Sequence, residues 1–511
     1  MKHFFLLLAL SGSLVSTAQK KGAADPKTFA SSITEADLKK QLYIVAGKEM
    51  EGRETATEGQ RKAAAYIESQ FRNLGLVAGN NGSYQLSFPV YRDSLKGASM
   101  MISNQKIELN QDFQPVIQMN NSGTQFFSQV VFAGHGIVDT GYNDYEGLDV
   151  KGKAVLLLDG GPASYKPKRG GWMSPVGTFA KINNARKNGA AAVLLVGANF
   201  PRRPMSDLGN MYTSLYKEVQ GPNAYFISEK VASMLMGDAW NEVKEKGKKE
   251  KVQHADISRD LMIDFHKKVQ FLESTNVLGM IEGTDKKDEY LVLTAHYDHL
   301  GKRGDVIYYG ADDDGSGTVS IIELAEAFSK AKAAGKGPRR SVIFMTVSGE
   351  EKGLWGSDFF SEHPTVSLDK VTANLNIDMI GRIDTERKKP DTNNYVYVVG
   401  DDKLSSELKP ISEGVNKKYT KLVLDYKFND PNDEERIYYR SDHFNFAKKG
   451  VPIIFYYDGM LKADYHQPTD TPDKINYPLL AKRAQLVFFT AWEMANRETM
   501  MKRDIPLPEL D

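Results

Sequence analysis

The chain has 511 residues, of which 41% are hydrophobic and 26% are charged, and this composition is that of an ordinary globular protein with two or three domains. Its 66 basic and 66 acidic side chains cancel, so net charge gives no reason to expect binding to nucleic acid or to an anionic membrane. Because the chain contains no cysteine, disulfides, cysteine nucleophiles and zinc fingers are excluded.

The N-terminus has the pattern of an export signal. Met1-Lys2-His3 is a short basic region, and the apolar stretch Phe4–Val15 is too short to span a bilayer. Ser16-Thr17-Ala18 offers the small residues that precede a cleavage site. We therefore expect residues 1–18 to be a signal peptide and the mature protein to be exported, to the periplasm or beyond the cell, with no membrane span.

The segments that follow predict two helices and then a region rich in short β-strands. Helical patterns cover residues 35–46, which Thr34 can cap, and residues 57–75. From about residue 122 to 253, short β-rich runs alternate with glycine-rich turns. We predict an inserted β-rich domain at residues 125–256, and we assign residues 19–124 to the N-terminal part of the main domain.

From Leu261 onward the pattern is α/β, and residues 257–511 are predicted to form the main domain. The six strand candidates are Asn276–Ile281, Tyr290–Ala295, Ser341–Val347, Val371–Ile377, Tyr395–Val399 and Val451–Tyr457. Most of them are near-continuous apolar runs, as expected for strands buried on both faces of a sheet. Helical patterns lie between several strands, and Tyr477–Asn496 predicts a long closing helix.

Three adjacent acids, Asp312, Asp313 and Asp314, lie in a glycine-flanked loop immediately before a helical pattern. Their mutual repulsion favours either a solvated turn or a bound metal ion. Ser316 or Thr318 can cap the helix that follows. The residue types alone do not distinguish which of the three acids would contact a metal.

Histidines and further acids follow other buried strands. His296 and His299 follow the strand that ends near Ala295, and Asp298 is placed to hydrogen-bond the imidazole of His296. Of the two histidines, we prefer His296 as a metal ligand. The remaining candidates are Glu350 and Glu351, Asp378, and His466. Two imidazoles and at least three carboxylates suit zinc, with manganese or cobalt as alternatives, and they suffice for two ions about 3.5–4 Å apart.

The motifs HYDHLG, GADDDGSG, SGEEKGLWGS, NIDMIGR, YRSDHFNFAKKGVP and DYHQPTDTPDKI resemble, in the same order, those of the co-catalytic di-zinc aminopeptidase family. That family also includes glutamate carboxypeptidase II and the glutaminyl cyclases. The resemblance covers residues 260–511 and implies a mixed central sheet with helices on both faces. Val130–Met236 is similar to the protease-associated domain that many members carry as an insertion.

The resemblance also implies roles for individual residues. His296 and Asp378 would bind one zinc ion, Glu351 and His466 the other, and Asp313 would bridge them. Glu350 would be the general base and acid, Asp298 would orient His296, and Tyr465 and Arg440 would contact the substrate or the oxyanion. The implied activity is that of an aminopeptidase, which releases N-terminal residues from peptides by means of a hydroxide shared between two zinc ions.

Three alternatives remain open at this stage. Arg382 and Arg440 could recognise a substrate carboxylate, as a carboxypeptidase or dipeptidase of the same family requires. A glutaminyl cyclase is less favoured because it needs only one zinc ion. A metal-free receptor or binding protein on the same fold would lack ligand residues, whereas all of them are present here. The sequence leaves residue preference and oligomeric state open.

Overall fold

The structure is a computed structural model that describes residues 25–167, 174–197, 200–201, 206–215, 221–391 and 393–507. The predicted signal peptide lies outside the described residues. Two compact units are present: the first combines the chain up to Leu86 with the chain from Asn276 onward, and the second is Ser87–Thr275. Within the described part of the chain, every helix is too short or too polar to cross a membrane.

The N-terminal part of the first unit is helical. Its elements are α1 (Lys27–Ala30), α2 (Glu35–Val45), α3 (Glu58–Asn73) and the short strand β1 (Val77–Ala78). The Thr34 side chain accepts a hydrogen bond from the amide N of Asp37 at 3.1 Å, which confirms the predicted cap. Both predicted helices are present, with ends within two residues of the predicted positions.

The second unit is β-rich, and its described residues form three α-helices. Its elements are β2 (Gln85–Ile102), β3 (Gln105–Ile107), β4 (Phe113–Pro115), β5 (Gly123–Phe132), β6 (Val138–Asp139), β7 (Tyr142–Asn143), β8 (Ala154–Leu158), α4 (Thr178–Lys187), β9 (Ala192–Val196), β10 (Leu208–Tyr212), β11 (Asn223–Ile227), α5 (Glu229–Met236), α6 (Ala239–Gly247) and β12 (Ala255–Ile281), whose last residues belong to the first unit. Strands β5, β8, β9 and β11 are parallel neighbours in that order.

The predicted insert, residues 125–256, lies within this second unit, which also takes in residues 87–124 and 257–275. The difference has a physical reason. Strand β2 and the first half of β12 are long strands in which many side chains are exposed or half-buried. Such strands carry little of the apolar patterning that marks a domain boundary in a sequence.

The remainder of the first unit alternates strands and helices. Its elements are β13 (Lys286–His296), β14 (Lys302–Arg303), β15 (Val306–Ile307), α7 (Gly317–Ala333), β16 (Arg340–Val347), α8 (Trp355–Glu362), β17 (Val371–Ile377), β18 (Tyr395–Val399), α9 (Leu408–Lys418), β19 (Val423–Asp425), α10 (His443–Lys448), β20 (Ile453–Tyr457) and α11 (Tyr477–Asn496). All six predicted strands are present, and the predicted closing helix has the predicted bounds.

The sheet of the first unit is mixed, with a parallel centre. Its strand order is β19, β18, β20, β17, β13, β16 and β12. Strands β20, β17, β13 and β16 are parallel. Strand β18 pairs antiparallel with β20 and parallel with β19, and β12 pairs antiparallel with β16. Leu291 and Leu293 pack on the face that α7 and α11 cover, and Val292 packs on the opposite face with side chains of α8 and α10. The predicted mixed central sheet with helices on both faces is confirmed.

The four parallel strands bring the candidate site residues to one edge of this sheet. Ligands of open α/β sheets bind outside the carboxyl ends of the strands. His296 is the last residue of β13, Asp378 follows β17, Glu350 and Glu351 follow β16, and His466 lies in the loop after β20.

Candidate metal centre

His296 is the buried imidazole at the centre of the site. Only 1% of its surface is exposed, because β13 is a central strand of the sheet. Its Nε2 lies 3.2 Å from Oδ1 of Asp313 and 3.5 Å from Oδ1 of Asp378. The structure therefore brings these three predicted residues together, although 82 positions of the chain, from 296 to 378, separate the first from the last.

A second imidazole closes the other side of Asp313. Nε2 of His466 lies 3.2 Å from Oδ2 of Asp313 and 3.1 Å from Oε2 of Glu351. Asp313 thus presents one carboxylate oxygen to each histidine, as a bridging ligand would. All five residues predicted to bind metal are in one cluster.

The acidic loop divides its three carboxylates between two functions. Asp314 accepts hydrogen bonds from the amides of His296 (3.2 Å), Gly317 (2.8 Å) and Met379 (3.0 Å), and it therefore stabilises the backbone around the site. Asp312 accepts from the amide of Gly381 at 2.8 Å. Of the three, only Asp313 has its carboxylate between two imidazoles.

The predicted caps of α7 have different partners. The hydroxyl of Ser316 donates to the carbonyl of Asp312 at 2.9 Å, and that of Thr318 donates to the carbonyl of His296 at 2.7 Å. The amide of Gly317 is instead satisfied by Asp314. The prediction that Ser316 or Thr318 caps the helix is wrong, because both hydroxyls are turned towards carbonyls and a carboxylate occupies the capping position.

Asp298 contacts His296 through its main chain. Its carbonyl oxygen is 3.1 Å from Nδ1 of His296, whereas its carboxylate is 3.8 Å away. The carboxylate accepts hydrogen bonds from the hydroxyl of Thr55 (2.7 Å) and from the amide of Glu350 (3.2 Å). The expected hydrogen bond between the Asp298 carboxylate and the His296 imidazole is therefore not made, and the carbonyl of Asp298 makes this contact instead.

Glu350 extends into the cluster beside the presumed ligands, with its Oε2 3.8 Å from Nε2 of His296. Burial raises the pKa of its carboxyl well above the usual range, and the neighbouring Asp378 adds to this shift. Burial alone would also raise the pKa of Asp313, but the imidazoles of His296 and His466 hold it well below its usual range. Burial and Asp378 thus favour the protonated form of Glu350, whereas the two imidazoles favour the charged form of Asp313.

The residues present fit zinc. Nε2 of His296 and Oδ2 of Asp313 are buried atoms without an aligned hydrogen-bond partner among the described residues. Two ligand atoms of one tetrahedral zinc ion, with bonds of about 2.0–2.2 Å, lie roughly 3.3–3.6 Å apart. The separations of 3.1–3.5 Å between the imidazole nitrogens and the carboxylate oxygens are close to this value.

His299 is a third imidazole at the site. Ligand atoms of His299, Asp313 and Glu351 lie within 4.8 Å of one another, as do those of His296, Glu350 and Asp378. Proximity alone therefore does not decide whether His299 or His466 is the second imidazole ligand.

A cleft opens at the cluster. Its apolar lining includes Met379, Ile437, Phe455 and Leu461. Tyr465 and Arg440, the predicted substrate contacts, also line it. The ring of Tyr465 stacks on that of His466 with centroids 3.9 Å apart, and its hydroxyl lies 3.3 Å from Nη2 of Arg440.

Two supporting residues were not recognised in the sequence. Asp470 accepts hydrogen bonds from the amides of Asp312 and Asp313 at 3.0–3.2 Å, which ties the His466 loop to the acidic loop. Arg53 is fully buried and donates to four carbonyls, among them that of Gly310. Asp470 could have been found from the sequence, because it lies four residues after His466 in the motif DYHQPTDTPDKI.

Comparisons with known proteins agree with this geometry. Residues 276–491 match the sequence profile of peptidase family M28. A probable leucine aminopeptidase of Trichophyton verrucosum is 32% identical over 216 residues, 41% of this chain and 55% of that protein. A probable zinc metalloprotease of Leptosphaeria maculans is 33% identical over 122 residues, 23% of this chain and 27% of that protein. The chain thus spans about half the length of the first of these relatives and about a quarter of the second.

Two solved structures share the fold over nearly the whole chain. An aminopeptidase from Aneurinibacillus sp. strain AM-1 has a TM-score of 0.56 at 19% identity, covering 95% of this chain and 99% of that one. A zinc aminopeptidase from Bacillus subtilis has a TM-score of 0.54 at 19% identity, covering 93% and 99%. At this identity the likeness establishes the fold.

Proposed function

Because residues 276–491 belong to peptidase family M28, we propose that this protein is a zinc-dependent exopeptidase, an aminopeptidase that releases N-terminal residues from peptides. The observation that carries the proposal is the convergence of two imidazoles and two carboxylates around Asp313, with Glu350 beside them.

The donor set supports two zinc ions per chain. His296 and Asp378 would hold one ion, Glu351 and His466 the other, and Asp313 would bind both. When bound, the ions would supply a Lewis acid for the scissile carbonyl and would lower the pKa of an attacking water from about 15.7 towards about 7. Manganese and cobalt are compatible with the same nitrogen and oxygen ligands.

Glu350 is the proposed general base and acid. Its raised pKa allows the carboxylate to take a proton from the attacking water and to return it to the departing amine. The return is needed because a peptide amine is a poor leaving group unless it is protonated. Asp298 supports both groups, since its carbonyl fixes the ring of His296 and its carboxylate accepts from the amide of Glu350.

Tyr465 is the proposed donor to the oxyanion. Burial raises the pKa of its hydroxyl above the usual range, so the group stays protonated and able to donate. Arg440 lies within 3.3 Å of that hydroxyl and holds its orientation. The two side chains line the same cleft as Glu350, where the reacting carbonyl would lie.

The placement of Arg382 favours an aminopeptidase over a carboxypeptidase or dipeptidase. Its Nη2 donates to Asp464 at 2.8 Å, and its Nη1 lies 3.9 Å from Asp470. The guanidinium is therefore already paired with carboxylates of the protein and is not free to bind a substrate carboxylate.

Two further proposals concern the whole chain. We propose that the β-rich unit Ser87–Thr275 contains a protease-associated domain, supported by the similarity of Val130–Met236 to that domain. We also propose that the protein is exported, supported by the signal-like pattern of residues 1–18, and that it acts on peptides outside the cytoplasm.

The test compares substrates and one variant. Zinc-loaded protein is assayed with amino-acid anilides and with the same anilides carrying a blocked amine. We expect hydrolysis of the free-amine substrates only. Glu350→Gln should retain its zinc and lose about 10²–10⁴-fold in kcat.

Three outcomes contradict the proposal. Hydrolysis of blocked but not free substrates would indicate a different specificity. Less than one zinc per chain in metal-replete buffer would favour a metal-free binding protein. Wild-type turnover by Glu350→Gln would show that another group moves the proton.

A further inference from the structure

We propose that His299 is a positioning residue for the second metal site: its Nδ1–H donates to the outer oxygen of Glu351 and so directs the other oxygen of Glu351 to the metal. The inference rests on the proposed metal centre. It assigns a function to a third imidazole, which is neither one of the five predicted ligands nor the proposed general base.

The first observation is the pair of distances around Glu351. Its Oε2 lies 3.1 Å from Nε2 of His466, which is close to the separation of two ligands of one zinc ion. Its Oε1 lies only 2.7 Å from Nδ1 of His299, which is a hydrogen-bond distance. The two oxygens of Glu351 therefore have different partners, one in the ligand cluster and one outside it.

The distances of His299 argue against its being a ligand itself. Its Nδ1 is 3.9 Å from Oδ2 of Asp313, whereas Nε2 of His466 is 3.2 Å from the same atom. Two ligands of a tetrahedral zinc ion lie roughly 3.3–3.6 Å apart. The distances from His466 to Asp313 and Glu351 are thus close to those expected for two ligands of one zinc ion. The distance from His299 to Glu351 is shorter than this range, and the distance from His299 to Asp313 is longer.

The second observation is the burial of His299 without alternative partners. The residue is 0% exposed, and neither ring nitrogen has an aligned hydrogen bond to another described residue. The approach of Nδ1 to Oε1 of Glu351 is short but not aligned, so the proposed hydrogen bond requires a rotation of the ring. A fully buried imidazole with no polar partner would be costly, so Glu351 is the partner that accounts for its presence.

The third observation is that the backbone makes room for this ring. A Cβ added to Gly310 would lie 2.4 Å from Cγ and 2.6 Å from Cδ2 of His299. The amide of His299 is bound to the carbonyl of Arg53 at 3.3 Å. The backbone at Gly310 therefore packs against the ring of His299, and the hydrogen bond to Arg53 fixes the main chain of His299. A positioning residue requires this kind of confinement.

The physical consequence concerns the denticity of Glu351. A carboxylate with both oxygens free can bind zinc through one or through both. A donor fixed on the outer oxygen holds the carboxylate in the one-oxygen mode and favours low coordination. Partners of this kind, when removed, typically cost 10–100-fold in metal affinity.

The experiment compares two variants of nearly equal shape. His299→Leu places a methyl group where Nδ1 lies and removes the donor. His299→Asn places an amide nitrogen there and retains it. Zinc affinity is measured by chelator competition, and coordination is read from the visible absorption of cobalt-loaded protein. His135→Leu, which removes a buried histidine of the unit Ser87–Thr275, is the control for loss of a buried imidazole.

We expect wild type to bind two ions, and His299→Leu to lose about 10–100-fold in affinity at one site only, with weaker cobalt absorption as coordination rises. His299→Asn and His135→Leu should stay close to wild type. If His299→Leu does not fold, His299→Ala makes the same comparison with His299→Asn.

Unchanged affinity and absorption in His299→Leu would overturn the inference and leave the proposed function intact. Complete loss of one ion in both His299→Leu and His299→Asn would also overturn it, because His299 would then be a ligand. Wild-type protein that binds no zinc would overturn the proposed function and the inference together.

Discussion

Glu323 lies in α7, in the core of the first unit, and its replacement by glutamine should stabilise the protein at alkaline pH. The residue is 0% exposed, and neither carboxylate oxygen makes an aligned hydrogen bond to another described residue. Burial raises its pKa from 4.5 to about 8, and the nearby acids Glu326 and Asp37 add to the shift while Gln41 and Lys330 oppose it. Glutamine has nearly the same shape and cannot ionise.

The magnitude follows from linkage between proton binding and folding. Between the unfolded pKa and the folded pKa of about 8 the folded protein binds this proton more tightly than the unfolded chain, so stability falls as the pH rises through that window. At 1.36 kcal/mol per pKa unit, the penalty grows by on the order of 3 kcal/mol between about pH 5 and about pH 8. Glu323→Gln lacks this penalty.

The assay is the thermal midpoint of chelator-treated protein, measured for wild type and variant across this range of pH. The advantage of Glu323→Gln should increase by about 3–6 °C from the acidic to the alkaline end. Glu58→Gln, which removes an exposed carboxylate paired with Arg61, should show no such trend. If the difference in thermal midpoint between Glu323→Gln and wild type were the same at acidic and alkaline pH, or larger at acidic pH, burial would not be raising the pKa of Glu323.

Two further predictions concern the site. Asp314→Ala leaves the amides of His296, Gly317 and Met379 without their acceptor and should cost about 3 kcal/mol or more in the free energy of unfolding, measured with urea. Asp314→Asn retains Oδ1, which accepts from two of the three amides, and should cost much less; equal stability of Asp314→Ala and wild type would contradict this role. Arg440→Leu should lower kcat about 10-fold with little change in KM, because Arg440 orients the hydroxyl of Tyr465. An effect on KM alone, measured with a free-amine anilide, would indicate that Arg440 binds substrate instead.

The strands and helices of the first unit could be predicted because their signals are local. The central strands β16 and β17 are buried along their whole length and are largely apolar, as strands covered on both faces of a sheet require. The apolar stripe of α3 lies at helical spacing and is buried as predicted. The second unit was placed less well, since its long strands β2 and β12 are largely exposed and their sequences alternate weakly.

The same contrast holds for the site. The sequence by itself determined the types of residue that could bind metal and their positions after buried strands, because a carboxylate or imidazole there has few other uses. The residue types did not distinguish Asp313 from Asp312 and Asp314, and only the family resemblance pointed to Asp313. The tertiary structure supplies the physical difference, since Asp312 and Asp314 accept hydrogen bonds from amides of distant segments, such as those of Gly381 and Met379. It also decided that a carbonyl of Asp298 contacts His296 and that His299 lies against Glu351. Hydrogen-bond partners that are far apart in the chain produce no regular spacing in the sequence. They are therefore determined only when the strands assemble into the sheet.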